Sequence, residues 1–346
     1  MLVGHGTYRG DGVQGRRIEG WEISAAVLFI ACREQSRHPV VWIDTMGPGE
    51  ASWDGIVGLV ASSAIVKVNH AGIILGADVA VNEPLQPEAL QEFAWLALGK
   101  DTHRGRRDLV TGSYVGDGND DRTIPIGFAN PTKQPLIVGV GRFGDSFVVR
   151  DALHGDGESA RLFDSTDVET NKIKAFGVDS FEVGSDDEVN AAGSRYYFFA
   201  IADDGKDGSV HLGGWTGNGV PEYALTGTPL PPDAVIIDGT DAGGTQPTLL
   251  ALKGTPPPRA WQLGVGVWDP SPGLDAIHSW DPTGITVNSH LAVNRDGRDF
   301  HGWFFSTVGQ TPAGRMSVPL KRALERGEPA IWLLDIQFPP GSGGSG

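Results

Sequence analysis

The residues most suited to chemistry are hard oxygen ligands in one short run. Asp117-Gly118-Asn119-Asp120-Asp121 alternates acidic and amide side chains along a turn-like stretch. Calcium takes six to eight oxygens, and Asp117, Asn119 and Asp121 are spaced to offer several of them. The plainer reading of the same residues is a capped turn with Asp121 paired to Arg122. A second chemistry is stacking on sugars. Trp261, Trp268 and Trp280 lie in the longest and most proline-rich stretch between expected strands. An exposed indole face there would form a sugar platform, and burial in a core is the alternative for each.

Other catalytic signatures are missing. The chain has no H-E-x-x-H, no G-x-S-x-G and no G-x-x-x-x-G-K-[ST]. Gly139-Val140-Gly141-Arg142-Phe143-Gly144 imitates a dinucleotide loop, but strand-like Phe147-Val148-Val149 follows where a helix is needed. The nine histidines are scattered, with no pair at ligand spacing, and read as surface or core residues. The single cysteine, Cys32, sits in an apolar run, so neither a disulfide framework nor a cysteine zinc site is expected. A structural calcium is the one cofactor the residues suggest.

These residues need a scaffold, and composition limits its class. Of 346 residues, 50 are glycine and 23 proline, while 40% are hydrophobic. Glycine costs about 1 kcal/mol at each helix-interior position, which argues against bundles and coiled coils. It follows no G-X-Y period, which excludes collagen. A turn-rich all-β protein remains. The formal charge of −16 opposes binding to phosphate backbones. No run of 18 apolar residues is present to enter a membrane as a helix. Met1-Leu2-Val3 leads straight into Gly4-His5-Gly6 without a leader signature, so synthesis in a cytoplasm is expected.

The chain repeats itself three times. Gly6-Thr7-Tyr8-Arg9-Gly10-Asp11-Gly12 returns as Gly112-Ser113-Tyr114-Val115-Gly116-Asp117-Gly118 and as Gly213-Gly214-Trp215-Thr216-Gly217-Asn218-Gly219. Each copy is followed by an apolar run (Ala26 to Ile30, Leu136 to Val140, Ala234 to Ile237) and then a segment ending in Val-Asn at Asn82, Asn190 and Asn294. An aromatic run closes each copy, at Phe93 to Trp95, Tyr196 to Phe199 and Trp303 to Phe305. The glycines of the G-[DN]-G turn (Gly10, Gly12, Gly116, Gly118, Gly217 and Gly219) are expected at positive φ, around Asp11, Asp117 and Asn218. Short strands with turns every 8–15 residues predict antiparallel β-sandwiches of jelly-roll or concanavalin A type at 1–104, 105–208 and 209–308. Residues 309–346 are expected to form an arm ending in a Gly/Ser tail.

The second copy resembles a domain of bacteriophage virion and tail proteins. The likeness rests on Gly112 to Gly118, Asp121-Arg122, Ile126-Gly127-Phe128, Phe181 to Asp186, Val189-Asn190 and Tyr196 to Ala200. It weakens in the third copy, which lacks the Asp-Arg pair, and is weakest in the first. It implies a concanavalin A-like sandwich at a particle surface and brings no catalytic residues with it. The function expected is therefore a non-enzymatic, tail-associated or capsid-decorating virion protein with other virion proteins as partners. The three copies would stand as a one-chain trimer or assemble further. A carbohydrate-binding adhesin reading a host glycan is the alternative. A glycoside hydrolase is the next, although the E-x-D-x-x-E pattern of sandwich glycosidases is absent.

Overall fold

The computed structural model describes residues 1–19, 23–32, 39–47, 52–53, 65–69, 72–76, 79–82, 92–100, 108–142, 147–162, 169–202, 209–239, 248–254, 260–263 and 276–307. The expected arm at 309–346 and the expected boundary at 104/105 lie outside them.

The first copy runs β1 (Leu2–Arg9), β2 (Arg16–Glu19), β3 (Ala25–Cys32), β4 (Val40–Ile43), β5 (Ser52–Trp53), β6 (Ile65–Asn69), β7 (Gly72–Leu75), α1 (Val79–Asn82) and β8 (Glu92–Gly99). The second runs β9 (Leu109–Val115), β10 (Arg122–Pro125), β11 (Pro135–Gly141), β12 (Phe147–Asp151), β13 (Glu158–Arg161), β14 (Glu169–Thr170), β15 (Ile173–Gly177), β16 (Ser180–Val183), α2 (Asp187–Asn190) and β17 (Arg195–Ala202). The third runs β18 (Val210–Thr216), β19 (Tyr223–Thr226), β20 (Ala234–Gly239), β21 (Leu249–Leu252), β22 (Ala260–Gln262), β23 (Ile277–Asp281), β24 (Gly284–Val287), α3 (Leu291–Asn294) and β25 (Asp299–Phe305).

One strand order serves all three copies. The large sheets read β1-β8-β3-β4-β5, β9-β17-β11-β12-β13-β14 and β18-β25-β20-β21-β22. The small sheets read β2-β7-β6, β10-β16-β15 and β19-β24-β23. Every pairing is antiparallel. The expected all-β class with sandwich-like sheet pairs is what the chain adopts.

Apolar alternation explains how the sheets are used. In β17, Tyr196, Phe198, Ala200 and Ala202 face the small sheet and fill the core of the second copy. Tyr197, Phe199 and Ile201 face the other way and join a different core. In the third copy, Val235 and Ile237 face the small sheet, and Ala234 and Ile236 face the second core. In the first copy the two sides merge into that one cluster, which holds Val27 to Ile30 of β3 and Phe93, Ala94 and Trp95 of β8. A strand buried on both faces needs a continuous apolar run rather than polar-apolar alternation, as β3, β11 and β20 have. The three large sheets thus bury their outer faces in one shared cluster, where Phe29 meets Phe199 edge-on at 5.9 Å. Phe147 and Phe199 stack at 5.7 Å over Gly139, whose place admits no side chain because a Cβ would sit 2.4 Å from both rings.

The recurring turn is tied down by one asparagine per copy. Asn82, Asn190 and Asn294 are fully buried. Their Oδ1 atoms accept from the N–H of Asp11 (3.0 Å), Asp117 (3.1 Å) and Asn218 (2.9 Å). Their Nδ2 groups donate to the carbonyls of Val13 (2.9 Å), Asn119 (2.7 Å) and Val220 (2.7 Å). A ring one strand-turn earlier repeats the device. Tyr8, Tyr114 and Trp215 donate to the carbonyls of Val81, Val189 and Val293. Positive φ falls on Gly12, Gly118 and Gly219 but not on Gly10, Gly116 or Gly217, which corrects half of the expectation for this turn. At Gly116 and Gly217 the requirement is space. A Cβ there would lie 2.2 Å from the carbonyl oxygen of Ala191 or Arg295.

Candidate functional site

The acidic turn of the second copy is occupied by protein partners. Asp117 Oδ1 accepts from Asn119 N–H at 2.9 Å, and its other oxygen lies 3.4 Å from Arg122 Nε. Asp121 pairs with Lys174, which also holds Asp120 at 3.1 Å. Arg122 turns instead to the carbonyl of Val115 and lies over the Tyr114 ring. The expected pairing of Asp121 with Arg122 is therefore replaced by pairing with Lys174. Asp117, Asn119 and Asp121 thus belong to a capped, ion-paired turn, in which Asp117 and Asp121 each meet a basic side chain.

Of the three tryptophans, only Trp261 is shown fully buried. Trp261 is 1% exposed and belongs to the shared core. Trp280 is half-buried against the core of the third copy. Trp268 lies outside the described residues.

In the acidic segment at Asp186 to Glu188, Asp186 and Glu188 have structural tasks. Asp186 caps α2 by accepting from Glu188 N–H. Glu188 bonds to Arg161 and to Lys172, whose side chain is fully buried. Burial alone would raise the Glu188 carboxyl, but hydrogen bonds from Arg161 and Lys172 outweigh it and hold the group below its ordinary value. A carboxyl lowered by folding stabilises the fold above its unfolded value and loses that contribution as pH falls. The melting temperature is therefore expected to drop below about pH 4.5, the ordinary glutamate value, more steeply in the natural chain than in Glu188→Gln. Parallel slopes in the two melting series would show that Glu188 carries no such linkage.

Contacts between copies run around the shared core. From the first to the second, Lys100 Nζ, which also holds Asp44 of its own copy at 2.8 Å, donates to Thr111 Oγ1 (2.6 Å), and Thr45 donates to the carbonyl of Gly112. From the third to the first, β22 lies against β3, and Asp233 and Lys253 are the charges around half-buried His5, whose imidazole burial pushes down. From the second to the third, the junction is a buried polar cluster.

That cluster centres on Asp151, at the end of β12 and fully buried. The equivalent positions of the other copies are apolar, Ile43 and Leu252, as the matching strand registers show. Asp151 Oδ1 accepts from the N–H groups of Leu153 (2.9 Å) and His154 (3.2 Å) in the turn that follows. His154 Nδ1 lies 2.9 Å from the same oxygen. From the third copy, Trp303 Nε1 donates to Oδ2 at 2.8 Å, and His301 Nδ1 lies 3.1 Å from the carboxylate. The two imidazole rings meet edge to face at 4.8 Å. Burial alone would raise the Asp151 carboxyl, but hydrogen bonds from His154 and His301 hold it well below the usual carboxylate range. Burial would lower His301, but its hydrogen bond to Asp151 carries it above the ordinary imidazole value. Asp238, paired opposite His301 in β20, is pushed up to about 6 by burial. Its Oδ1 accepts from Thr248 at 2.8 Å, while Oδ2 has no partner among the described residues.

The cluster opens to a cleft of about 600 Å³ between the second and third copies, lined by His154, Glu158, Trp215, Asp299 and His301 among others. Sequence spacing sets the histidines aside. His154 and His301 stand 147 residues apart, so no local pattern joins them. The one legible signal is Asp151-x-x-His154, a turn spacing that brings His154 Nδ1 onto the Asp151 carboxylate.

Fold and site together define an all-β protein of paired antiparallel sheets with a buried Asp/His junction. No protein-family model, curated protein or solved structure matches the chain.

Proposed function

We propose that the chain is a non-enzymatic structural protein of a bacteriophage particle, a tail-associated or capsid-decorating component that works against other virion proteins. The observation that carries this reading is the shared core, in which all three large sheets bury their second faces. One chain thereby makes a compact block of three like units. Such a block suits an attachment point of three- or sixfold symmetry, where a closed set of equal contacts is required. The resemblance of the second copy to virion and tail domains points to the same location. A buried polar feature, the Asp151 cluster, joins one copy to the next, as a scaffold requires.

The test is a density map of purified particles of the phage whose genome encodes this chain, searched for the chain by fitting residues 1–307. Density for the block at a threefold or sixfold position is the expected result. Particles from which the chain is absent would overturn the reading.

A further inference from the structure

Asp151, His154 and His301 present one carboxylate oxygen and two imidazole nitrogens within 4.8 Å of one another, all three residues buried. We propose that these residues bind one divalent transition-metal ion of the zinc class at the floor of the cleft, clamping the second copy to the third.

The donor chemistry selects the ion. Two imidazoles and a carboxylate suit zinc, cobalt and nickel, whereas calcium and magnesium prefer sets made wholly of oxygen. Three protein ligands leave positions open for water, and the cleft lined by His154 and His301 supplies both that water and an entry path. Zinc–nitrogen bonds of about 2.0–2.1 Å let two donors stand no more than about 4.2 Å apart. The close pairs already satisfy this, at 2.9 Å for His154 with Asp151 and 3.1 Å for His301 with Asp151. A pair at the 4.8 Å limit would close through a small rotation of an imidazole.

His154 shows why protein partners alone leave the cluster incomplete. Its Nδ1 faces two groups of opposite kind, the Asp151 N–H at 3.2 Å and Asp151 Oδ1 at 2.9 Å. A proton on Nδ1 serves the oxygen but opposes the N–H. A lone pair on Nδ1 serves the N–H but opposes the oxygen. Its Nε2 is buried without a partner among the described residues in either case. A cation held jointly by Nδ1 and Oδ1 turns the second opposition into shared coordination. The surroundings fit a bound metal as well. Trp303 Nε1 fixes the carboxylate through its other oxygen, the kind of support that orients metal ligands. The carboxylates of Asp151 and Asp238 bring two buried acidic groups to the same junction, which matches a dication in charge.

The experiment uses the full chain, stripped with a chelator and titrated with zinc chloride under calorimetry. One equivalent of zinc should bind per chain, and the melting temperature should rise with zinc concentration, as it must when only the folded state binds. Cobalt chloride in place of zinc should give a visible absorption band that reports nitrogen ligation, and excess calcium should not displace it. His154→Gln and His301→Gln should each weaken binding at least tenfold. A double variant of the acidic turn, Asp117→Asn with Asp121→Asn, should bind as the natural chain does. If His301→Gln does not fold, His154→Gln and the cobalt spectrum decide. Absence of binding by the natural chain, or undiminished binding by His154→Gln, would overturn the proposal.

Discussion

Replacing Asp151 by alanine is expected to destabilise the chain by about 3–5 kcal/mol, the range found when one partner of a buried charged cluster is removed. The carboxylate is fully buried and receives Leu153 N–H, His154 N–H, Trp303 Nε1 and His301 Nδ1. Without it the indole and imidazole donors of the third copy face a void, and each buried unpaired donor costs about 1–3 kcal/mol. Chemical denaturation monitored by tryptophan fluorescence measures the loss. A change under about 1 kcal/mol would mean that water or a side-chain shift replaces the carboxylate. The companion variant tests the cause. Asp151→Ile with His301→Tyr and Trp303→Phe installs the residues of the first junction, where Ile43 of β4 lies against the strand carrying Tyr197 and Phe199. Apolar replacements of similar volume for a buried ionic cluster are often neutral or stabilising, so this triple variant should recover most of the loss. Failure to recover would indicate that the polar junction differs from its neighbours in backbone as well as in side chains.

Asn190→Ala carries the second large expected effect, about 2–4 kcal/mol of lost stability. Four hydrogen bonds disappear together: those from Asp117 N–H and Arg122 to Oδ1, and those from Nδ2 to Asn119 O and Asp117 Oδ1. Asp117 and Asn119 are exposed and regain water, which offsets part of the cost. The void left by the fully buried side chain adds to it. Aspartate is a sharper probe than alanine. It preserves the acceptor for Asp117 N–H but removes both donated bonds and sets a charge beside Asp117. Asn190→Asp should therefore destabilise more than the loss of two bonds alone. The same substitutions at Asn82 and Asn294 are expected to act in the same direction, because both side chains make the equivalent bonds. An Asn294→Ala chain as stable as the natural one would break the equivalence of the three turns.

The three copies were legible because their landmarks are local. A G-[DN]-G turn, an apolar run, a Val-Asn and an aromatic run each record a requirement of nearby backbone. The role of the Val-Asn pair was not legible, since Asn190 lies 73 residues from the Asp117 N–H that it caps. Gly116 was legible as a glycine of the turn but for the wrong reason. Its constraint comes from Ala191, far along the chain, rather than from its own φ. Trp261 misled because an indole's burial depends on what folds over it. Trp261 is covered by the shared core, which no single copy contains.

The amino-acid sequence by itself determined the all-β class, the threefold recurrence and the strands buried on both faces, because period and turn chemistry are properties of neighbouring residues. Only the tertiary structure decided that the second faces meet in one core and that Asp151, His154 and His301 converge there. Those contacts join residues 150 and more positions apart. A lone aspartate where the other copies carry Ile43 and Leu252 becomes meaningful only when the imidazoles from across the junction are beside it.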